Sequence, residues 1–367
     1  MKNNFGNNLT ITLFGESHGE YIGAVLDGLA PGIKIDHDYI KDKLDKRRPA
    51  GKISTARVEA DEYSIVSGIF RGYTTGTPLT VIIPNTNKKS SDYGEELDIP
   101  RPGHADYTAR VKYHGFEDFR GGGHFSGRIT AALVAAAAIV GSALENKGIK
   151  IGTHIKELHG AYDRSFDELD LEGDIDLLNE KSFPTLGGEQ DMMGEIKKAA
   201  FNGNSVGGIL ETAVIGVPSG LGEPWFDSME SMLAHGLFSI PAVKGVEFGL
   251  GFAFADVFGN EANDEFEIKD GKVVTKTNNN GGINGGITNG MPIILKTVIK
   301  PTPSIFMPQD SVSLSKMEDA RIYLRNGRHD PAIIHRARVV VDSVIALVIA
   351  DLLTGRYGTD YLAGKNL

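Results

Sequence analysis

GIFRGYTTGTPL (68–79) and GINGGITNGMPI (282–293) decide how this chain is organised. Six positions coincide at a common spacing: Gly68/Gly282, Ile69/Ile283, Gly72/Gly286, Thr74/Thr288, Gly76/Gly290 and Pro78/Pro292. A weaker echo, AVLDGLAPG (24–32) and AVIGVPSG (213–220), precedes each copy in the same order. The pattern predicts one domain over residues 1–367 built from two similar halves, about 5–150 and 200–355, packed about a pseudo-twofold axis. The alternative is chance similarity among glycine-rich segments, since the chain holds 46 glycines.

Working outward, LTITLF (9–14) and YIGAVLDGL (21–29) are apolar, β-branched and bounded by glycine, the signature of strands. TPLTVIIPN (77–85) and GGILETAVIGVPSG (207–220) read the same way. HDYIKDKLDKRR (37–48) sets Ile40 and Leu44 one helical turn apart and reads as a helix, as does SMESMLAHGLFS (228–239). The uncharged run Ile129–Leu144 is short of the roughly 18–20 residues of a membrane span, and VVVDSVIALVIADLL (339–353) is interrupted by Asp342 and Asp351. Both read as buried helices. Long helices between strands in both halves imply an α+β (mixed α/β) sandwich of helices and sheets. Two stretches look inserted, the polar 160–195 and the loop-like 260–280.

Composition bounds the chemistry. With 367 residues, 41% hydrophobic and 23% charged, the chain is an ordinary globular protein. It has no cysteine, which excludes disulfides, thiolate metal sites and cysteine nucleophiles. A net charge of −10 argues against a nucleic-acid surface. KDKLDKRRPAGK (41–52) runs against that balance, with six cations to two carboxylates, and reads either as a trap for a small anion or as a solvated helix end. The N-terminus lacks a secretory hydrophobic region, so the expected location is the cytoplasm.

GGGHFSGRIT (121–130) precedes a run of strong helix formers. Such a loop can bring backbone N–H groups to an anion at a helix start, with Arg128 as a two-pronged grip, or can serve only to pack closely. Gly15-Glu16-Ser17-His18-Gly19 matches G-x-S-x-G, but only sixteen residues precede Ser17 and a strand rather than a helix follows, so a hydrolase nucleophile is not expected. No H-E-x-x-H is present, and His154 and His159 are five apart, so no metal site is expected. Three histidine clusters remain: GESHG, RPGHADY (101–107) and NGRHDP (326–331), the last followed by Arg336 and Arg338. Each lies in a Gly/Pro-rich loop beside Arg or Asp, which suggests acid–base groups with anion grips.

Taken in order, these clusters resemble the chorismate synthase family. The resemblance is carried by FGESHG (14–19), KRRPAGK (46–52), Thr55-x-Arg57-x-Glu59-x-Asp61, TTGTPL, NTN (85–87), RPGHADY, FRGGG (119–123), AVKGVEFG (242–249), GGINGGI (281–287), KPTPSI (300–305) and GRHDP, over about residues 5–355. It implies a β-α-β sandwich core, a homotetramer, and conversion of 5-enolpyruvylshikimate 3-phosphate to chorismate by 1,4-anti elimination. That reaction consumes no net electrons yet needs reduced FMN. The sequence does not decide whether NADPH reduces the flavin on this chain or an external flavin reductase does so.

By the same resemblance, His18 would be the general acid for the departing phosphate. His104 would sit beside the reduced flavin and hold its protonation state. Asp330, with Ser17, would relay the C6 proton through flavin N5. Arg47, Lys52, Arg128 and Arg328 would grip substrate or NADP phosphate. The flavin site would comprise His124, Phe125, Ser126, Pro241, Ala242, Gly285, Lys300, Pro301, Thr302, Pro303, Ser304 and Arg328. The family loop usually reads G-G-G-R-S-S-A-R-E-T; here His124, Phe125, Gly127 and Ile129 depart from it. Two other readings stand beside this one, a flavin oxidoreductase with the same pocket and a phosphosugar-binding or structural protein that kept the fold without turnover.

Overall fold

The computed structural model describes residues 2–48, 61–86, 97–324 and 330–363. One sheet is built from β1 (Asn4–Phe5), β2 (Thr10–Gly15), β3 (Tyr21–Asp27), β4 (Ser64–Ser67) and, beyond the hairpin β5 (Ile69–Phe70)–β6 (Tyr73–Thr74), β7 (Leu79–Pro84). Its spatial order is β1-β2-β3-β7-β4. The second sheet holds β8 (Lys150–Leu158), β9 (Ala161–Tyr162), β10 (Gly208–Ile215) and β11 (Val243–Phe248). After the hairpins β12 (Phe266–Lys269)–β13 (Lys272–Thr275) and β14 (Ile283–Asn284)–β15 (Ile287–Thr288), it is completed by β16 (Ile293–Ile299). Its order is β11-β16-β10-β8-β9. Every pairing in both sheets is antiparallel.

The helices are α1 (His37–Arg47), α2 (Asp106–Tyr113), α3 (Thr130–Glu145), α4 (Leu171–Glu180), α5 (Glu189–Phe201), α6 (Met229–Phe238), α7 (Gly259–Ala262) and α8 (Ile334–Tyr357). β7 alternates buried and half-buried residues along its length, so one face is turned to the core, as an antiparallel strand with one packed face should. That face meets α3, which also packs on β3, α1 and α8. α8 in turn packs on β8, β10 and α6. The two long helices therefore lie back to back with a sheet outside each, which explains why nearly every residue of α3 is buried. Gly127–Glu145 is apolar and long enough to cross a membrane, but 89% of it is buried inside the chain, as in a core helix. Burying each Ile or Leu contributes about 1.5–3 kcal/mol, so this central layer carries the stability and the loops at its edge are free to build a site.

Asp351 interrupts the apolar face of α8 for a reason. It is fully buried and accepts backbone N–H groups from Asn7, Asn8 and Leu9 at 3.0, 2.6 and 2.9 Å. A buried carboxylate is tolerated when hydrogen-bonded in this way, and this one ties the first turn of the chain to the last helix.

The two glycine-rich stretches form equivalent hairpins. Ile69 pairs with Thr74 and Ile283 with Thr288, the same five-residue offset. The Thr74 hydroxyl donates to Ala30 O and accepts from Ile33 N (2.6 and 2.9 Å); the Thr288 hydroxyl donates to Pro218 O and accepts from Leu221 N (2.8 and 2.9 Å). Both hairpins thus bind the segments that carry the weaker sequence echo. The strand orders β2-β3-β7-β4 and β8-β10-β16-β11 also correspond, each with an irregularity on its edge strand.

Most element boundaries lie within a few residues of the sequence expectations, but β10 stops at Ile215, short of 220, and α8 starts at Ile334, before 339. Residues 160–195 carry α4 and most of α5, whose buried Ile175, Leu178, Met192 and Ile196 pack as a helical layer. Residues 260–280 hold the hairpin β12–β13 and are not simply a loop. Its cross-strand pair Ile268 and Val273 is exposed, so no core-facing alternation announced it.

Candidate active site

The GESHG turn joins β2 to β3. Ser17 is 1% exposed and His18 6%. The Ser17 hydroxyl has one hydrogen, which it donates to Arg120 O at 3.0 Å. At its 3.2 Å contact with His18 Nδ1 it is therefore the acceptor, which makes His18 an Nδ1–H imidazole at that nitrogen. The turn is braced from β7's end by Asn85, whose Nδ2 donates to Glu16 O and Gly19 O at 2.9 and 3.0 Å. Ser17 is held by these bonds below the surface and is not presented as a nucleophile.

The GGGHFSGRIT loop lies directly on this turn. Ser17 N donates to Gly123 O at 3.1 Å, and His124 Nδ1 bonds Gly15 O at 2.8 Å. A carbonyl only accepts, so His124 donates there. Gly121 and Gly122 both have positive φ, 60° and 87°. A Cβ on Gly121 would fall 2.3 Å from His18 Cε1; one on Gly122 would fall 3.3 Å from His104 Nε2. Adjacent residues of one loop therefore touch two of the three histidine clusters. Ser126 caps the turn that leads into α3, and Phe125 meets Tyr113 edge-on at 6.1 Å.

Arg128 and Arg47 are buried and face Asp61. Arg47 Nη2 donates to Asp61 Oδ2 at 2.9 Å, Arg128 Nη1 forms a close ion pair with Oδ1, and Arg128 Nε donates to Asn85 Oδ1 at 3.0 Å. Burial alone would raise the Asp61 carboxyl, but the two guanidiniums outweigh it and hold the group below the usual carboxylate range. The side chain of Asp61 has no exposed surface. Arg47 and Arg128, expected as substrate grips, direct donors in this structure to a carboxylate, to backbone carbonyls and to the asparagine that braces GESHG.

Asp330 joins the same cluster from the other end of the chain. It is paired with Arg336 Nη1, and Arg336 Nε donates to Arg47 O at 2.8 Å. Among the described residues four guanidiniums, those of Arg47, Arg48, Arg128 and Arg336, lie within 4.0 Å of the two carboxylates, Asp61 and Asp330, so cations outnumber carboxylates there. Lys52 and Arg328 lie outside the described residues.

The second histidine is held by its own motif. His104 Nδ1 lies 2.7 Å from Asp106 Oδ1, and Asp106 also accepts a two-pronged contact from Arg101. Lys300 Nζ donates to Gly103 O at 2.5 Å, and Lys300 N to Ala242 O at 2.9 Å, so Pro241–Ala242, the Lys300–Ser304 loop and the RPGH turn meet. A groove of about 360 Å³ runs between Pro102–Gly103 and Lys300–Pro303. In its wall Thr302 Oγ1 is buried without a hydrogen-bond partner. Gly285 is at the tip of hairpin β14–β15.

Asp61, Asn85, Asp106 and Arg336 all fall within or beside the motifs, yet the sequence assigns none of them an individual role. Their signal was position alone: Asp61 closes the T-x-R-x-E-x-D stretch, Asn85 opens NTN, and Asp106 follows His104 by two.

Comparison with known proteins bears on this arrangement. The family model for chorismate synthase matches residues 9–354. The chain is 51% identical over 352 residues to a chorismate synthase of Pyrococcus abyssi, covering 96% of this chain and 97% of that one. It is 47% identical to that of Thermococcus kodakarensis, with the same coverage, and 44% to that of Methanosarcina barkeri, covering 95% of each. A crystal structure of a chorismate synthase superposes with a TM-score of 0.76 at 28% identity, over 97% of this chain and 95% of that one.

Proposed function

The chain belongs to the chorismate synthase family, a lyase family that forms chorismate and phosphate from 5-enolpyruvylshikimate 3-phosphate, and we propose how its residues divide that work. The observation that carries the reading is the seating of His18 and His104 against consecutive glycines of one loop. Loss of a phosphate needs a proton and positive charge. His18, protonated at both ring nitrogens, keeps its Nδ1–H on Ser17 and gives its Nε2 proton to the departing oxygen. The Arg47–Asp61–Arg128–Arg336 cluster supplies a fixed positive field, with Lys52 and Arg328 as the direct phosphate ligands. Asp330 is the base for the C6 proton, and Ser17 orients His18.

Family members use reduced flavin. The residues here fit FMN: the groove beside His104 is lined by Lys300, Pro301, Thr302 and Pro303, and the orphaned Thr302 hydroxyl needs a partner. Ala242, which follows Pro241, meets this loop through Lys300. Phe125, Ser126, His124, Ser304, Gly285 and Arg328 complete the proposed set. Bound reduced flavin supplies electron density to the allylic system; the chain supplies position, charge and proton transfer.

The two sheets and the helices between them are read as the β-α-β sandwich of one duplicated domain. We also propose a cytoplasmic homotetramer. Trp225, Phe226, Phe252 and Phe258 are 77–91% exposed on the single chain, and aromatic side chains in solvent on this scale fit burial between copies. Anaerobic incubation with the enolpyruvyl phosphate and chemically reduced FMN should release phosphate and chorismate in equal amounts. Full turnover with oxidised FMN and no reductant would overturn the cofactor assignment, and an NADPH-only arm separates intrinsic flavin reduction from an external reductase.

A further inference from the structure

The motif RPGHADY contains a complete device for setting one histidine. We propose that Asp106 is a positioning residue that fixes His104 as the Nδ1–H tautomer, and that Arg101 holds Asp106 in place to do so. The inference rests on the reading of His104 as a working residue of the site and adds what determines its state.

Asp106 is the first residue of α2 and is 4% exposed. Its Oδ2 accepts Arg101 Nε at 2.7 Å and Arg101 N at 3.0 Å. Its Oδ1 accepts Arg101 Nη2 at 2.7 Å and meets His104 Nδ1 at 2.7 Å. A carboxylate only accepts, so the proton in the last contact belongs to the imidazole. Arg101 Nη2 also lies 3.2 Å from His104 Nδ1; were Nδ1 bare it could accept there, but the shorter, charge-assisted contact to Asp106 prevails. Burial opposes the charge on Asp106, but the bonds from Arg101 and His104 hold its carboxyl well below the usual range, so Asp106 does not compete for the proton. His104 then presents Nε2 as its acceptor on the side where Gly122 passes.

The same geometry predicts what asparagine would do. Two fixed donors of Arg101 point at the Oδ2 position, whereas at Oδ1 one donor is fixed and the other, His104 Nδ1, can switch. The amide oxygen of Asp106→Asn therefore settles at the Oδ2 position. Its NH₂ turns to His104 Nδ1, which must become an acceptor, and the proton moves to Nε2. Size and packing are conserved; the tautomer is not.

The test is 15N NMR of the full-length protein labelled at histidine, without flavin, with the His104 signals assigned by their loss in His104→Gln. Wild type should show the Nδ1–H form and Asp106→Asn the Nε2–H form. In turnover with reduced FMN, Asp106→Asn should lower kcat by about 10²–10⁴-fold with KM changed less than about threefold. An Nε2–H signal in wild type overturns the proposal without any variant, so it stays testable should Asp106→Asn fail to fold. Unchanged kcat in Asp106→Asn, or a retained Nδ1–H form, also overturns it. A His104→Ala variant with wild-type kcat would instead remove the reading of His104 on which it rests.

Discussion

Gly121 leaves no room for a side chain beside His18: a Cβ there would lie 2.3 Å from His18 Cε1, 2.5 Å from Nδ1 and 2.8 Å from Ser17 Oγ. With φ at 60° the backbone also disfavours any other residue. Gly121→Ala should therefore displace the imidazole, lowering kcat by at least about 10²-fold while circular dichroism shows the fold intact. Wild-type kcat in this variant would mean that His18 need not lie against the loop.

His18→Ala and Asp330→Ala should each depress kcat by about 10²–10⁴-fold with far less effect on KM, because a proton-transferring group acts in the transition state. Steady-state kinetics at saturating reduced FMN decides this. A raised KM with kcat preserved would reassign either residue to binding.

Arg128→Ala should act on stability first. Removing it takes one of two close guanidinium partners from the buried Asp61, leaving Arg47, at a cost of up to about 3–5 kcal/mol, and it removes the donor that anchors Asn85 Oδ1. Urea unfolding should show the loss. A variant with native stability and only a raised KM would return Arg128 to the role of substrate grip.

His124→Asn places an amide donor close to where His124 Nδ1 now bonds Gly15 O. It should keep activity within a few-fold, whereas His124→Phe, which cannot donate, should lose it together with the seating of Ser17 on Gly123. Equal activities in the two variants would show that the contact with Gly15 does not matter.

Away from the site, His154 has Asp163 at Nδ1 and Glu211 at Nε2, 3.0 and 2.9 Å away. Burial pushes its pKa down, but the bonds to both carboxylates win and raise it above the ordinary value of about 6.5. Asp163 is correspondingly held at about 2: burial opposes this, and the bond from His154 leads the groups that overcome it. A raised folded pKa stabilises the protein fully below the unfolded value and loses that contribution as pH rises through the folded value. The stability advantage of wild type over His154→Gln should therefore shrink on the alkaline side. An advantage independent of pH would rule out the charged imidazole.

Much of this molecule was legible in one dimension because its signals are local. The hairpins at 68–79 and 282–293 share glycines where the turns need them and a threonine that binds a neighbouring segment. The apolar runs of α3 and α8 announced buried helices, and two of the histidine clusters, read as acid–base groups, meet on Gly121 and Gly122. The pairings that complete the site are not local. Asp61 and Arg128 are 67 residues apart and Arg336 reaches Arg47 across 289. No periodicity couples residues at such distances, so the sequence offers Arg128 as an anion grip without showing its pairing with Asp61.

By itself, then, the sequence determined the element types, the repeated hairpins and the three motifs, since backbone propensity, alternation and turn chemistry act over a few residues. Only the tertiary structure decided that His18 and His124 donate through Nδ1 and which arginines pair with carboxylates. Those outcomes depend on where distant chain segments place single donors and acceptors, and in a buried site each such group must find its partner there, because water cannot supply one.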